Sequence, residues 1–332
     1  MLNNHPEQQY LDLIKDIMKN GAKKQKFFTP EVFEEYKKKN QEPPYILSVF
    51  GRQHRWNMKD DFPLLTTKKT FFRGILIELL WFLSGSSNIK YLVDNNVHIW
   101  DDWAWKRYHK HCLENEPVKD MPQVEFIAKL KELPEDDPWV EKWGDLIYCY
   151  GKMWRKWPAR DGREIDQLGW VIKNIKDKPY RKSYVVSGWN PDYIYAMASP
   201  ENRNEVPPFC HTTFQFQVMD NKINLGLYQR SADLFLGVPF NIASYSLLLL
   251  MVAQVTGFEP GEFVHTFGDV HVYSNHFDQL NEQIKREPFP FPTLKINPDI
   301  KNIDDFKFDD FTLENYQSHP PLKGEIANVG GY

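Results

Sequence analysis

The 332-residue chain is poor in the features that mark specialised protein classes. It has three cysteines, Cys112, Cys149 and Cys210, too few for a disulfide framework, so a reducing, cytoplasmic setting is expected. It lacks a long hydrophobic run. The longest, residues 245–255, carries Gln254 and falls short of the roughly 20 residues that cross a bilayer, so no membrane partner is expected. The N-terminal MLNNHPEQQYLDL has neither a basic nor an apolar signal region, and no secretory signal is expected. There is no repeat and no low-complexity stretch. There is no excess of one charge either. A formal net charge of −4 excludes a chain-wide nucleic-acid footprint but leaves room for a local basic pocket.

What is present fits an ordinary folded protein: 42% hydrophobic and 26% charged residues, enough for one large core. Residues 9–20 place apolar groups at helical spacing and stop at Gly21. Residues 22–45 are lysine-rich, then polar, then Pro43-Pro44, and read as a surface loop or short helix. Residues 74–84 and 241–256 are apolar almost all round, which predicts two buried helices, the second ended by Gly257. Residues 183–189, 212–219 and 223–230 alternate polar with β-branched and aromatic residues and read as strands. So do residues 262–273, with a Gly-Asp interruption. Residues 104–143 are charged, hold several prolines and lack sustained periodicity, which reads as an insertion in a single domain spanning 1–332. The expected fold is α/β (α+β): a mainly antiparallel or mixed sheet against long buried helices.

Several residues carry chemistry or simply structure. Cys210, in PPFCHTTFQF, is a nucleophile or an inert core thiol; Arg230, in YQRSAD, is a cation able to lower its pKa. His211 is adjacent, but neighbours on a strand point to opposite faces. Glu78 interrupts ILIELLWFL, so it is either paired structurally or functional. Trp100 and Trp103, in VHIWDDWA, are core aromatics or a platform for a flat heterocycle. Asn241, in GVPFNIASY, is a helix N-cap or a reader of a pyrimidine edge. His271 and Tyr273 share one strand face and either satisfy each other or grip a sugar hydroxyl. His265, His271 and His276 have no recognisable metal-ligand spacing, and no metal is expected.

Taken together, these motifs resemble the thymidylate synthase family. PPFCHTTFQFQV, LGLYQRSADLFLGVPFNIASYSLLLLMVAQVTG and GEFVHTFGDVHVYSNHFDQLNEQIKREPFPFP are similar to its catalytic half. DFPLLTTKKTFFRGILIELLWFLSGSSNIKYL and NNVHIWDDWA are similar to its N-terminal half. The likeness spans the chain except residues 22–44, 104–143 and the last few. It implies a homodimer, with the sheet at the interface, that uses dUMP and 5,10-methylenetetrahydrofolate. Cys210 would attack C6 of the pyrimidine. Glu78, Tyr150 and His211 would handle protons and water, and Trp100 would shield the intermediate. Asn241 would read the uracil edge, with Gln229 nearby. His271 and Tyr273 would hold the ribose. Arg230 and Ser231 would hold the 5′-phosphate, with Arg181 and Lys182 supplied across the interface. Asp233 would bind the pterin, with Trp103, Gly237, Phe240 and Ala327 also on the folate side.

The chain departs from the pattern at the phosphate. Gln41 and Ser183 stand where the family carries arginine. Phe209 replaces a proline before Cys210, DLIYCYG replaces Gly-Pro-Val before Tyr150, and NVGGY runs past the usual terminus. Lys37, Lys38 and Lys39 precede Gln41 and are candidates to close over the pocket. A nucleotide C5-hydroxymethylase and a non-catalytic nucleotide- or RNA-binding relative stand as alternatives. The amide of Asn241 alone does not choose between uracil and cytosine, because a flipped amide matches the other base.

Overall fold

The structure, a computed structural model, describes residues 5–25, 34, 36–38, 43–114, 120–198 and 208–324. The first helix, Gln8–Asn20, buries Tyr10, Leu13, Ile14 and Ile17, a face repeating every three or four residues. It stops at Gly21, as expected, but for want of space. The φ there is −66°, and a Cβ would stand 2.5 Å from the Ile17 carbonyl oxygen and 3.0 Å from the Leu47 Cβ. The chain then enters β1 (Ala22–Gln25), paired antiparallel with β2 (Tyr45–Asn57). This corrects the expected loop or short helix from residue 22. Lys23 and Lys24 lie on a sheet edge, where lysine discourages pairing with other chains.

A short hairpin, β3 (Trp157–Pro158) and β4 (Glu164–Ile165), stands apart from the main sheet. The main sheet continues with β5 (Val185–Ser187), β6 (His211–Met219), β7 (Lys222–Asp233) and β8 (Glu259–Tyr273). All four match expected strands, and β8 runs unbroken through Gly268-Asp269. The order is β1-β2-β8-β7-β6-β5, antiparallel except for the parallel β7–β8 pair. The β6–β7 hairpin turns on Asp220 and Asn221, both at positive φ (48° and 61°), as a tight hairpin turn requires. A parallel pair needs a crossover, and the Gly237–Thr256 helix provides it. A further pair, β9 (Thr293–Ile296) and β10 (Phe311–Glu314), lies outside the main sheet.

Alternation decides the layers. In β6, Phe214, Phe216 and Val218 are buried, while Thr213, Gln215 and Gln217 are only partly covered. On the core side lie the two buried helices. One runs Phe72–Leu83; the other, Gly237–Thr256, is long and apolar enough to cross a membrane, which the 245–255 run understated. Its most apolar window is 78% buried inside the protein, so here it is a core helix. Residues 104–143 contribute helices Asp101–Glu114, Gln123–Glu132 and Pro138–Gly144. The first buries Asp101, Ala104, Tyr108 and Cys112 at helical spacing, but this mixed polar and aromatic set hides its period; the other two are short and bury two or three residues each. Tyr108, Phe126, Trp139 and Trp143 pack there with ring centroids 5.2–5.9 Å apart.

Candidate active site

Cys210 sits half-buried one residue before β6. Its backbone is held from two sides: its N–H donates to the Tyr150 hydroxyl at 2.9 Å, and its carbonyl accepts from the Arg230 N–H at 2.7 Å. The Arg230 guanidinium donates to the carbonyls of Phe209 (3.2 Å) and Pro208 (3.1 Å) and lies over the Trp189 ring at 5.7 Å. A permanent cation thus braces the two residues that deliver the thiol.

Tyr150 opens the short helix Tyr150–Arg155, which lies hard against the Phe72–Leu83 helix. A Cβ on Gly151 would stand 2.5 Å from the Phe82 carbonyl oxygen, so only glycine permits this approach. The DLIYCYG segment ahead of it is strained. Ile147 has φ 65°, a left-handed conformation that a β-branched residue rarely adopts. The Asp145 carboxylate accepts the Ile147 N–H at 3.0 Å and Lys152 donates to its carbonyl at 3.2 Å, holding the turn. The Tyr150 ring stacks on His211 at 4.7 Å and meets Phe209 at 4.9 Å and Phe82 at 5.4 Å.

Glu78 projects from the Phe72–Leu83 helix, and its Oε1 accepts the Trp100 indole N–H at 2.7 Å. Burial pushes its carboxyl up to about 7, against the opposing effect of that bond, so near neutral pH it can both give and take a proton. Trp100 in turn packs on Trp81 (5.8 Å), Phe82 (6.3 Å) and Tyr150 (6.2 Å). Carboxyl and thiol are therefore joined through one aromatic wall.

A second group of residues centres on amides. Asn241 is the fifth residue of the Gly237–Thr256 helix, whose N-cap is Leu236, so the N-cap reading of Asn241 is wrong. Its Oδ1 accepts from Gln229 Nε2 at 3.0 Å, and Gln229 Oε1 faces His265 Nε2 at 2.7 Å. Burial pushes His211 down to about 4, partly offset by its hydrogen bond with Asn241. At neutral pH His211 is therefore uncharged.

Farther along, Asp233 ends β7, and its Oδ1 accepts the N–H groups of Phe235 (3.0 Å) and Leu236 (3.1 Å). Its Oδ2 has no hydrogen-bond partner among the described residues. A Cβ on Gly237 would lie within 4 Å of both Asp233 and Asn241, which places all three together. The parallel register sets Asp233 beside His271 and Ser231 beside Asp269. His271 Nδ1 lies 2.8 Å from Asp269, which also accepts from Ser48 (2.8 Å) and Lys24 (2.5 Å). Burial would raise the Asp269 pKa, but these partners outweigh it and hold the carboxyl well below the usual range. Tyr273 meets His271 edge-on at 5.3 Å. Trp103 follows Trp100 by three residues, its N–H 3.2 Å from the Trp100 carbonyl, and Phe240 is half-buried beside Asn241.

Not every expected residue joins this cluster. Arg181, Lys182 and Ser183 are exposed, and the Lys182 carbonyl accepts from Gln215. Gln215 lies five residues beyond Cys210 on the same strand direction, about 16 Å away at ~3.3 Å per residue. Lys37 and Lys38 are exposed, with Lys37 paired to Glu34. Gln41, Lys39 and Ala327 lie outside the described residues. Among the described residues, no three His, Cys, Asp or Glu side chains gather as a metal-ligand set.

Other residues were not anticipated. Tyr245, one turn after Asn241, is buried with an unpartnered hydroxyl, and its ring lies 5.3 Å from His211. Asp269 and Lys24 wire His271. Lys68 is buried against Asp233 and donates to the Phe235 carbonyl; burial pushes its pKa down to about 7, with Asp233 opposing. Tyr245 was visible as the residue four after Asn241, and Asp269 as the partner two before His271. Lys24 and Lys68 had no sequence signal, because strand pairing and burial by distant residues bring them in. Two clefts, of about 820 Å³ beside Trp81 and Arg155 and about 440 Å³ at Trp139 and Trp143, are lined by neither Cys210, Glu78 nor Asn241. A family model described as thymidylate synthase matches residues 8–328.

Proposed function

The chain belongs to the thymidylate synthase family, a methyltransferase-type family with a folate cosubstrate, and on that premise we propose that it converts dUMP to dTMP with 5,10-methylenetetrahydrofolate. The carrying observation is the pairing of a half-buried, backbone-clamped thiol at Cys210 with a Glu78 carboxyl that titrates near 7 across one aromatic wall. Cys210 Sγ adds to C6 of the uracil, which makes C5 nucleophilic. Arg230 stabilises the thiolate. Glu78 and the water it orders move protons at O4 and C5, beside a neutral His211 and the Tyr150 hydroxyl. Elimination of Cys210 from C6 closes the cycle.

The folate, when bound, supplies the one-carbon unit and the hydride. Asp233 fits it: Oδ2 is available to accept pterin N–H groups, beside Gly237 and Phe240, with Trp103 near the same wall. Trp100, Trp81 and Phe82 exclude water from the exocyclic methylene stage, which favours hydride transfer over hydroxymethylation. A purely nucleotide-binding relative would have no use for a carboxyl tuned toward 7 across an aromatic wall from a thiol.

The ribose is held by His271 and Tyr273, and the 5′-phosphate by Arg230 and Ser231. Arg181 and Lys182 are too far from their own Cys210 but exposed for a partner's pocket, so the working unit is a homodimer. The sheet face carrying the half-covered Thr213 and Gln215 and the exposed Tyr228 serves as its interface. Cytoplasmic residence fits a chain with only three cysteines. Product identification tests the reading. Incubation with dUMP and the folate should give a nucleotide of dTMP mass; a hydroxymethyl product, or none, overturns it.

A further inference from the structure

We propose that His265 is a positioning residue that sets the base specificity of the pocket from beneath it, by locking the amide of Asn241 through Gln229. The proposal rests on the dUMP reading above and answers which way round that amide is held.

One atom beside Gln229 has a fixed hydrogen-bonding role. The Ser231 carbonyl oxygen can only accept a hydrogen bond. The Gln229 amide atom 3.0 Å from it must therefore be the NH₂ group, Nε2. The other end of that amide, Oε1, then faces His265 Nε2 at 2.7 Å. Oε1 carries no hydrogen, so His265 must carry its proton on Nε2 and leave Nδ1 bare. Nδ1 indeed has no hydrogen-bond partner. With one hydrogen given to Ser231, the Gln229 NH₂ turns its second toward Asn241 at 3.0 Å. Only an oxygen is tolerated there, so Asn241 must present Oδ1 to Gln229 and keep Nδ2 elsewhere. Hydrogen-bond direction is thus handed from His265 to Gln229 to Asn241 without an ambiguous step.

The environment keeps the relay from reversing. Gln229 is 3% exposed and His265 is fully buried. The His265 ring is sandwiched by Phe263 (5.3 Å) and Phe267 (4.1 Å) on its own strand, and its cross-strand partner is His54. Burial, together with His54 and His211, keeps His265 uncharged. A flipped Asn241 would set two NH₂ groups face to face in a site with little water, leaving buried groups unpaired.

Uracil presents N3–H and O4, a donor then an acceptor; cytosine presents the reverse order. A base held in one pose by its C6 bond to Cys210 is matched by one amide orientation and opposed by the other. The locked Asn241 therefore converts a residue able to read either base into one that reads a single base.

The test compares kcat/KM for dUMP and dCMP in wild type, His265→Leu and His265→Gln, with thermal melting to verify folding. The leucine removes the donor, and the glutamine amide replaces it. His265→Leu should lower the dUMP:dCMP ratio about tenfold or more, the usual consequence of one unpaired buried group. His265→Gln should restore it to within about threefold of wild type. A folded leucine variant with an unchanged ratio, or equal losses in both variants, overturns the proposal. A measurement on the wild type guards against misfolded variants: nitrogen-15 histidine NMR should find the neutral Nε2–H tautomer at His265, and an Nδ1–H tautomer would overturn it. If wild type makes no dTMP from dUMP, the functional reading fails, while the tautomer still decides the relay.

Discussion

The base side and the proposed phosphate side of the pocket differ in how much of each rests on packed elements. Glu78, Tyr150, Gln229 and Asn241 stand on core helices or a central strand, and each is tied to a second pocket residue by a bond of 2.7–3.0 Å. The cations proposed for the phosphate are mixed: Arg230 stands on central strand β7, while Arg181 and Lys182 stand on an exposed segment at the edge of the sheet. A reacting bond needs a fixed geometry, and only packed elements fix one. A dianion needs positive charge within a few ångströms and tolerates several arrangements of it. On the proposed reading, the chain can therefore lack arginine at Gln41 and Ser183 while keeping its chemical groups.

The sharpest contrast comes from Cys210→Ser. Turnover should fall by at least about 10³, because the step has no other nucleophile, while dUMP affinity stays within about tenfold. Steady-state kinetics and calorimetry check the two halves. Retained turnover would break the distinction between a rigid chemical side and a forgiving binding side.

Glu78→Gln should lower kcat by about 10²–10⁴, the usual range for a lost acid–base group, and remove a pH-dependent step near 7 from the rate profile. It should also change stability in a defined direction. The Glu78 carboxyl titrates higher in the folded state, at about 7, than its ordinary 4.5. Folding therefore favours its protonated form, and that advantage disappears as pH rises from the ordinary value through about 7. The glutamine variant should gain up to about 3 kcal/mol over wild type at pH 8 and nothing at pH 4. Denaturant unfolding at both pH values reads this, and a gain at pH 4 equal to that at pH 8 would refute the burial argument.

The phosphate side should respond more mildly. Lys182→Ala should raise KM for dUMP about three- to tenfold with kcat nearly unchanged, and the wild-type KM should itself rise steeply with salt. Comparison with deoxyuridine separates charge from other contacts. An equal effect of the substitution on both substrates would remove Lys182 from the phosphate site.

The smallest effect is expected at Ile147. Replacing this left-handed, β-branched residue by glycine should raise stability by about 1 kcal/mol, read by thermal melting. Activity should stay within a fewfold, since Tyr150 is held independently by Cys210 and Gly151.

The same contrast governs what the sequence reveals. The two buried helices were legible because they are apolar almost all round, and strands β5 to β8 because burial on one face leaves a period of 2. Glu78 was legible as a polar interruption in an apolar helix, Cys210 as a thiol beside His211 at the start of a strand, and Asn241 as an amide in GVPFNIASY. Edge strand β1 was not, because lysines at a sheet edge carry no apolar alternation. Of the three helices within 101–144, the first escaped because its buried positions mix Asp101 and Ala104 with Tyr108 and Cys112, and the other two because they are too short to repeat a pattern. His265 was visible but misplaced: grouped with His271 and His276 as a metal question, it is an inward residue between Phe263 and Phe267. Its role depends on Gln229 in the neighbouring strand, a pairing no local pattern encodes.

The central claim, that Cys210 and the folate site act together on a uracil nucleotide, is tested most directly by trapping with 5-fluoro-dUMP and methylenetetrahydrofolate. Fluorine at C5 blocks proton removal, so the account predicts a stable ternary adduct, with nucleotide and folate both added to the protein mass and mapped to the peptide containing Cys210. An adduct on another residue, or intact protein of unchanged mass, would contradict it.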